Sequence, residues 1–427
     1  MDRNEHTPSL WILLASRNFL ILMAGQNLSS WGDAIFSIAL VWFVYQDTHS
    51  TLGTAAVSAA QRLAATLSGP AAGVFVDRWD RRRTMMGTNL VSTGVVLLTA
   101  MLTFRHVLGV WAIYAALFAL TAAAMVERPA FHSVMRRILP HDQLAAGNGL
   151  YQSVGAANGF VAASVGGLVV AAAGAVVSGL LDVASFAFSV AALAMLRLSP
   201  ESSPPSGSDT RAGQHSFWGE LREGWVGIQQ QPALKAIAVW AFVGTAGGGA
   251  VLALLPVVVF RNLSGGPAAL GLVDAGAVLG SVAGGLATGW AARRIAMAPL
   301  MMATSAVAGC AMAAFGLSHA LVLSVGLYAL AGFGQAVGSA AFSALFQASV
   351  PSSLMGRTFG ILGAIEGAAG PVTALAGGIA ASVAGAGVTM AAGGLWMALS
   401  GLLLLKSRPL MTLGASAPDA DRPSPTG

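Results

Sequence analysis

The chain alternates long apolar runs with short polar breaks. Twelve spans are read from this pattern: 19–44, 51–76, 84–104, 107–127, 145–172, 176–197, 234–260, 267–290, 297–317, 319–346, 356–383 and 387–405. Each carries roughly the 20 apolar residues that cross about 30 Å of hydrocarbon. A lone strand would leave its backbone groups unsatisfied in lipid, so each span is expected as a helix. Residues 199–215, "SPESSPPSGSDTRAGQH", break the series with Pro, Ser and Gly and read as a flexible linker. After them Phe217, Leu221, Trp225 and Ile228 fall along one helical face. That spacing predicts a helix lying on the cytoplasmic membrane surface. The expected organisation is a six-helix bundle over 1–198, a cytoplasmic linker over 199–233, a second bundle over 234–405 and a disordered tail over 406–427.

The two halves repeat. A shift of 211 residues aligns Gly69, Gly73, Trp79, Arg82 and Arg83 with Gly280, Gly284, Trp290, Arg293 and Arg294. The same shift aligns Phe131, Pro140, Gly149, Gly159, Gly166 and Gly167 with Phe342, Pro351, Gly360, Gly370, Gly377 and Gly378. Two parallel six-helix repeats, with the substrate path between them, are an arrangement of alternating-access transporters. Basic residues set the orientation. With the N-terminus inside, only Arg105 and Arg261 of the 22 Lys and Arg fall outside, and Arg62 falls within a span. That asymmetry places both termini in the cytoplasm.

Composition narrows the class further. The chain of 427 residues is 56% hydrophobic and only 9% charged, with a mean hydropathy of +0.72, against about 25% charged in soluble domains. A multi-pass inner-membrane protein follows. The 53 glycines fit it, and spacings such as Gly69/Gly73, Gly276/Gly280/Gly284 and Gly334/Gly338 let helices approach closely. The N-terminus lacks a short apolar core with a small-residue cleavage site, so the first helix is expected as a retained span. Cys310 is alone, which excludes an intrachain disulfide and a thiol metal site. The basic residues sit as topology signals rather than as a nucleic-acid surface. No Gly-x-x-x-x-Gly-Lys-Ser/Thr segment cradles ATP, and no His-Glu-x-x-His spacing binds a metal. No cofactor is expected.

The densest charge is "GVFVDRWDRRR" at 73–83, after the second span. Together with twelve spans in a six-plus-six repeat, this stretch resembles the loop motif Gly-x-x-x-Asp-Arg-x-Gly-Arg-Arg of the major facilitator superfamily. Gly73, Asp77, Arg78, Arg81 and Arg82 match it. "GQNLSSWGDAIFSIALVWFVYQDTHS" (25–50), "ERPAFHSVMRRILPHDQLAAGNGLYQ" (127–152) and "LDVASFAFS" (181–189) resemble the bacterial drug-exporter branch that includes macrolide and enterobactin exporters. The resemblance implies an all-α fold of twelve transmembrane helices in two pseudo-symmetric bundles. It also implies that Asp77 faces the start of a helix in the other bundle and latches the cytoplasmic side. An anion at a helix N-terminus is stabilised there by about 0.3–1 kcal/mol. Arg81 to Arg83 are accounted for by topology alone, whereas Asp77 is not, because acids contribute little to orientation.

Three departures bear on coupling. Asp80 replaces the motif glycine, and Asp tolerates a left-handed turn. The fourth span, "WAIYAALFALTAAAMV", lacks the arginine of many proton-driven exporters. Ala162-Ala163-Ser164-Val165 precedes Gly166-Gly167 where the antiporter signature has Gly-Pro.

Five ionisable residues fall inside the expected spans away from their ends: Asp33, Arg62, Asp182, Asp274 and Glu366. Charges inside a membrane are costly and mark function or a paired partner. Asp33 lies 11 residues before the outer end of the first span and Arg62 lies 11 after the outer start of the second. At 1.5 Å per residue both are about 16 Å deep, which predicts an ion pair, structural or coupled to protonation. Glu366 has no basic partner in a span; it is a candidate for proton transfer or a cationic substrate, or a neutral carboxyl bonded between helices. Asp274 shares those roles, and Asp182, near the outer part of its span, suits capping or packing, with a transport role as the alternative. Gln26, Asn27, Gln152, Asn158 and Gln335 are candidate cavity amides, with interhelical hydrogen bonding as the alternative. Trp31, Trp42, Phe36, Phe242 and Phe333 offer an apolar binding surface or ordinary packing.

These readings converge on a secondary exporter of small, largely apolar molecules, functional as a monomer and driven by inward proton flow. A siderophore or lipid exporter, a uniporter, and a non-transporting sensor or scaffold are the alternatives. An intramembrane enzyme is excluded because no nucleophile and base meet at one depth.

Overall fold

A computed structural model describes residues 16–140, 143–196, 229, 232–349 and 355–406, with side chains also undescribed at short internal stretches including 70–78 and 364–366. The described residues form helices α1 (Arg17–Thr48), α2 (Thr51–Arg78), α3 (Arg81–Phe104), α4 (Val110–Ile138), α5 (Leu144–Met195), α6 (Pro232–Arg261), α7 (Pro267–Ala292), α8 (Met297–Leu317), α9 (Leu321–Ser349), α10 (Met355–Ala384) and α11 (Ala386–Ser400), ending in a 3₁₀ turn at Gly401–Lys406. The linker, its interfacial helix and the tail lie outside the described residues.

The continuous run of α5 hides two spans. Gly174, with φ 74° and ψ −178°, interrupts it, and only glycine takes that conformation without strain. The two limbs run in opposite directions along α1. In the first limb Asn158 reaches Asn27 and Gly166 meets Ile35 and Ile38, while in the second Gly179 meets Phe36, Gly32 meets Asp182 and Gly25 meets Ala192. The chain therefore reverses at Gly174, and α5 supplies the expected fifth and sixth spans.

Two element ends differ from expectation. The stretch 73–83 is hardly a loop, because α2 runs to Arg78 and α3 begins at Arg81. Asp80 is extended (φ −60°, ψ 119°), not left-handed, and its carboxylate accepts from the Arg83 backbone N–H at 2.8 Å. It is an N-cap, which satisfies one free amide of the first turn. The fourth span does not stop at 127. α4 continues to Ile138 through Pro129 because Phe131, Val134 and Met135 keep a buried apolar face, and tertiary packing outweighs the local cost of proline.

The chain separates into two compact units, 1–208 with 256–275, and 209–255 with 276–427. In the first, Phe19, Met85, Phe131 and Leu193 form one apolar core, and Phe36, Leu40, Val96, Ile113 and Phe186 a second. Phe36 is therefore core rather than cavity wall. In the second unit, Ile237, Met301, Leu345 and Phe346 pack together. Its glycine stripes act as the spacing predicts. β-Carbons on Gly276, Gly280 and Gly284 would run into the α9 backbone at Val325, Ala329 and Phe333, so α7 and α9 touch main chain to main chain.

Candidate functional site

In the first unit, Asn27, Ser30, Trp31 and Ala34 line up on one face of α1 and open onto a cavity of about 340 Å³. The spacing of three, four and seven residues makes this a single helical stripe. Asn158 on α5 and Asp274 on α7 complete the polar wall. Glycines place them. A β-carbon on Gly271 would overlap the Ala163 carbonyl oxygen and one on Gly167 would overlap that of Pro267, so α5 and α7 meet at backbone contact. Asp274 stands one turn beyond Gly271 and looks into the cavity.

The polar atoms of the wall are distributed unevenly. Asn158 donates from Nδ2 to Asn27 Oδ1, and Asn27 donates in turn to the Met23 carbonyl at 2.6 Å. The Trp31 indole N–H is buried without an acceptor. The cavity thus presents the Trp31 indole donor, a fixed amide pair, one carboxyl and the hydroxyls of Ser30, Ser37 and Tyr151 among mostly small side chains. The volume lies at the small end for ligand pockets, which run about 300–1,000 Å³.

A second polar region lies on the far side of α1. Gly25 and Gly32 pack on the second limb of α5, and Ser29, 1% exposed, sits between them on the same face. Asp182 and Asn89 are fully buried, and Glu127 is 9% exposed. Asn89 Nδ2 lies 3.2 Å from Ser189 Oγ and 3.5 Å from Glu127 Oε1, and Gln26 also hydrogen-bonds Glu127. Ser185 donates to the Asp182 carbonyl at 2.7 Å and lies 3.2 Å from its Oδ1. Asp33, seven residues from Gln26 on the same face of α1, acts electrostatically on both Glu127 and Asp182. Three acids of one unit thus share a neighbourhood.

The structure redistributes the sequence candidates. Asn27, Trp31, Asn158 and Asp274 come together at the cavity. Gln26 turns to Glu127 instead, Gln152 and Gln335 are exposed, and Gln335 belongs to the second unit. Asp33 and Arg62 form no ion pair. Equal depth on two helices fixes height but not direction around the axis, and Asp33 lies near enough to Glu127 and Asp182 to act on both electrostatically. Arg82 donates to the Ala194 carbonyl at 2.6 Å, capping the end of α5. The side chains of Gly73, Asp77, Arg78 and Glu366 lie outside the described residues. Trp42 stacks edge-on against Phe260, centroids 4.7 Å apart, with Tyr45 on the same ring at 4.9 Å. Glu127 was missed because Arg128-Pro129 reads as a helix end. The signal that could have found it is the apolar period of Phe131, Val134 and Met135, which carries the helix on.

Known proteins resemble the chain along most of its length. It is 24% identical over 355 residues to macrolide efflux protein A of Streptococcus pyogenes, covering 81% of this chain and 85% of that protein. It is 27% identical over 374 residues to the multidrug efflux pump Tap of Mycolicibacterium fortuitum, covering 86% and 87%. Its backbone is similar to that of a bacterial homologue of the iron transporter ferroportin in an inward-facing state (TM-score 0.71, 14% identity, 91% and 98% covered). A POT family transporter in complex with 5-aminolevulinic acid is similar at the same TM-score, with 11% identity and 93% and 97% covered. The Major Facilitator Superfamily matches residues 22–374. With that match, the twelve helical rods and the absence of strands among the described residues, the chain belongs to the Major Facilitator Superfamily and is a multi-pass membrane transporter, not an enzyme.

Proposed function

We propose that this transporter exports small, largely apolar molecules by alternating access, with inward proton flow as the drive and both termini in the cytoplasm. The observation that carries the reading is the cavity wall of Trp31, Asn27, Asn158 and Asp274. The Trp31 and Tyr151 rings with alanines and glycines suit the apolar part of an amphipathic molecule, and two amides, three hydroxyls and a single carboxyl suit its polar or cationic end. The names of the two efflux relatives support the same direction and substrate class. Acids held inside the spans support ion coupling, since such groups commonly form proton relays. Asp33 and Asp274 are the described candidates, and Glu366 is assigned by sequence. Asp77, with Gly73, Arg78, Arg81 and Arg82, is assigned the cytoplasmic latch on the same ground.

The test is drug accumulation in an exporter-deficient host across a panel of apolar and cationic compounds, with and without collapse of the proton gradient. Expression lowers accumulation of several compounds, and collapse restores it. Export that survives collapse would remove proton drive, and an unchanged panel would remove drug export.

A further inference from the structure

The charged stretch after α2 has a repeat copy after α7, and the two copies answer their charges differently. In the first, Asp80 caps α3 and Arg82 donates to the Ala194 carbonyl. In the second, Arg293 and Arg294 follow the end of α7, and no Asp or Glu occurs in the sequence from 275 to 365. The N-cap of α8 is Ala296, which has no side-chain acceptor to offer. Arg293 turns its Nε–H back to the Gly289 carbonyl of its own helix at 3.2 Å. The Arg294 guanidinium lies over Trp290, 4.5 Å from the ring centroid. Two exposed cations therefore stand at one corner to which this part of the chain brings no carboxylate.

The helix leading to that corner is apolar on its exposed side. Leu286 is 81% and Trp290 59% exposed, and Leu279 and Val282 are exposed as well. Steps of three, four and four residues set these four on one face, apart from the glycines that pack on α9. At 1.5 Å per residue, Leu279 to Trp290 covers about 16 Å. That is roughly half of the 30 Å hydrocarbon core, the depth of one leaflet. An exposed Trp at the end of such a row marks the headgroup level. A guanidinium held over an indole is oriented by the ring and keeps N–H donors for acceptors beyond it. Arginine meets phosphate oxygens with paired N–H bonds. From Leu279 to Arg294 the order is apolar row, indole, guanidinium, which follows acyl chain, glycerol and phosphate in a phospholipid.

We propose that Trp290, Arg293 and Arg294 form a headgroup site for one anionic phospholipid, with an acyl chain lying along Leu279, Val282 and Leu286. Orientation of the chain accounts for arginines anywhere near this end, but not for the ring contact or the exposed row beneath it. The site belongs to the second unit and uses no residue of the cavity. It stands or falls separately from the export reading.

The test is lipid binding to the purified full chain in detergent, followed by native mass spectrometry during titration with phosphatidylglycerol or phosphatidylcholine of the same acyl chains. The wild type is expected to hold its first phosphatidylglycerol about 20- to 30-fold more tightly than phosphatidylcholine, from about fivefold for each arginine beside anionic lipid. The double variant Arg293→Gln, Arg294→Gln loses that preference to within about twofold, whereas Arg105→Gln, at the far end of α3, keeps it. Should the double variant not fold, fluorescence decides. Phosphatidylglycerol brominated on its acyl chains quenches wild-type tryptophan emission more than brominated phosphatidylcholine, and Trp290→Phe removes the excess. Equal affinity of the wild type for the two lipids, a preference that survives the double variant, or an excess of quenching that survives Trp290→Phe overturns the site. Displacement of the lipid by inorganic phosphate also overturns it, because a bare anion site has no use for the apolar row.

Discussion

Gly32 of α1 lies so close to Asp182 of α5 that a β-carbon on the glycine would overlap the Asp182 carboxyl and the Ser185 hydroxyl, and would stand 2.9 Å from the Asp182 Cα. Since backbone is among the obstacles, a rotamer change cannot make room. Gly32→Ala is expected to destabilise the first unit by about 1–3 kcal/mol, the usual cost of overpacking. Gly25→Ala, whose β-carbon would meet mainly the Ala192 side chain at 3.0 Å, is expected to cost less. Thermal unfolding of the two variants in detergent checks the order. An unchanged Tm for Gly32→Ala would mean that α1 and α5 do not approach this closely.

The contact between α5 and α7 makes a transport prediction. Gly271→Val drives a side chain into the Ala163 carbonyl and displaces Asp274, one turn away, from the cavity. A penalty of about 1.4 kcal/mol on the assembled site lowers flux about tenfold. Gly285→Val, at a glycine of the same helix whose β-carbon would meet nothing within 4 Å, is expected to leave flux unchanged. Initial efflux rates of a fluorescent substrate, normalised to the amount of protein in the membrane, distinguish the two.

Asp80 offers a test of capping against motif. Its carboxylate holds the first turn of α3 through Arg83 N–H. Asp80→Ala is expected to cost about 1 kcal/mol, whereas Asp80→Gly, which restores the family residue, costs only a few tenths. Both variants should retain transport. Loss of transport in Asp80→Gly with Tm unchanged would assign the carboxylate a gating role.

The spans were readable because lipid demands helices and long apolar runs, and no propensity competes with that demand. Even the reversal at Gly174 falls between the fifth and sixth expected spans. What sequence could not supply is the azimuth of a side chain. Asp33 and Arg62 share a depth, yet they form no ion pair, and Asp33 acts electrostatically on Glu127 and Asp182 instead. Asn27 and Gln26 are neighbours in sequence, 100° apart around the helix, so one lines the cavity and the other bonds Glu127. Glu127 escaped notice for a different reason. Arg128-Pro129 looks like the end of a span, but the buried face of Phe131, Val134 and Met135 carries α4 past it.

The latch assigned to Asp77 predicts a shift of conformation rather than of stability. Asp77→Asn removes the charge that would be stabilised at a helix N-terminus by about 0.3–1 kcal/mol, and somewhat more where it is partly buried. The ratio of inward- to outward-open molecules should rise by about two- to fivefold across the range of 0.3–1 kcal/mol, and by more where the carboxylate is partly buried. Single cysteines placed near the outer ends of the helices, in a Cys310→Ala background, report it as slower labelling by an impermeant maleimide. Unchanged labelling counts against the latch.

Asp274 is the carboxyl of the cavity wall, so its charge should sort substrates. A cation held there gains a charge-assisted contact of about 1.5–3 kcal/mol, which corresponds to roughly 10- to 150-fold in affinity. Asp274→Asn keeps the shape and removes the charge. Export of a permanently cationic dye is expected to fall by at least about tenfold, while a neutral apolar substrate, bound through Trp31 and the small side chains, is exported as before. Side-by-side efflux of the two compounds from the same cells makes the comparison internal, so a loss of expression would lower both equally. If both fall together at unchanged expression, Asp274 acts on the transport cycle itself, through coupling or gating, and not on substrate charge. Were neither to fall, this cavity would not be the route by which substrate leaves.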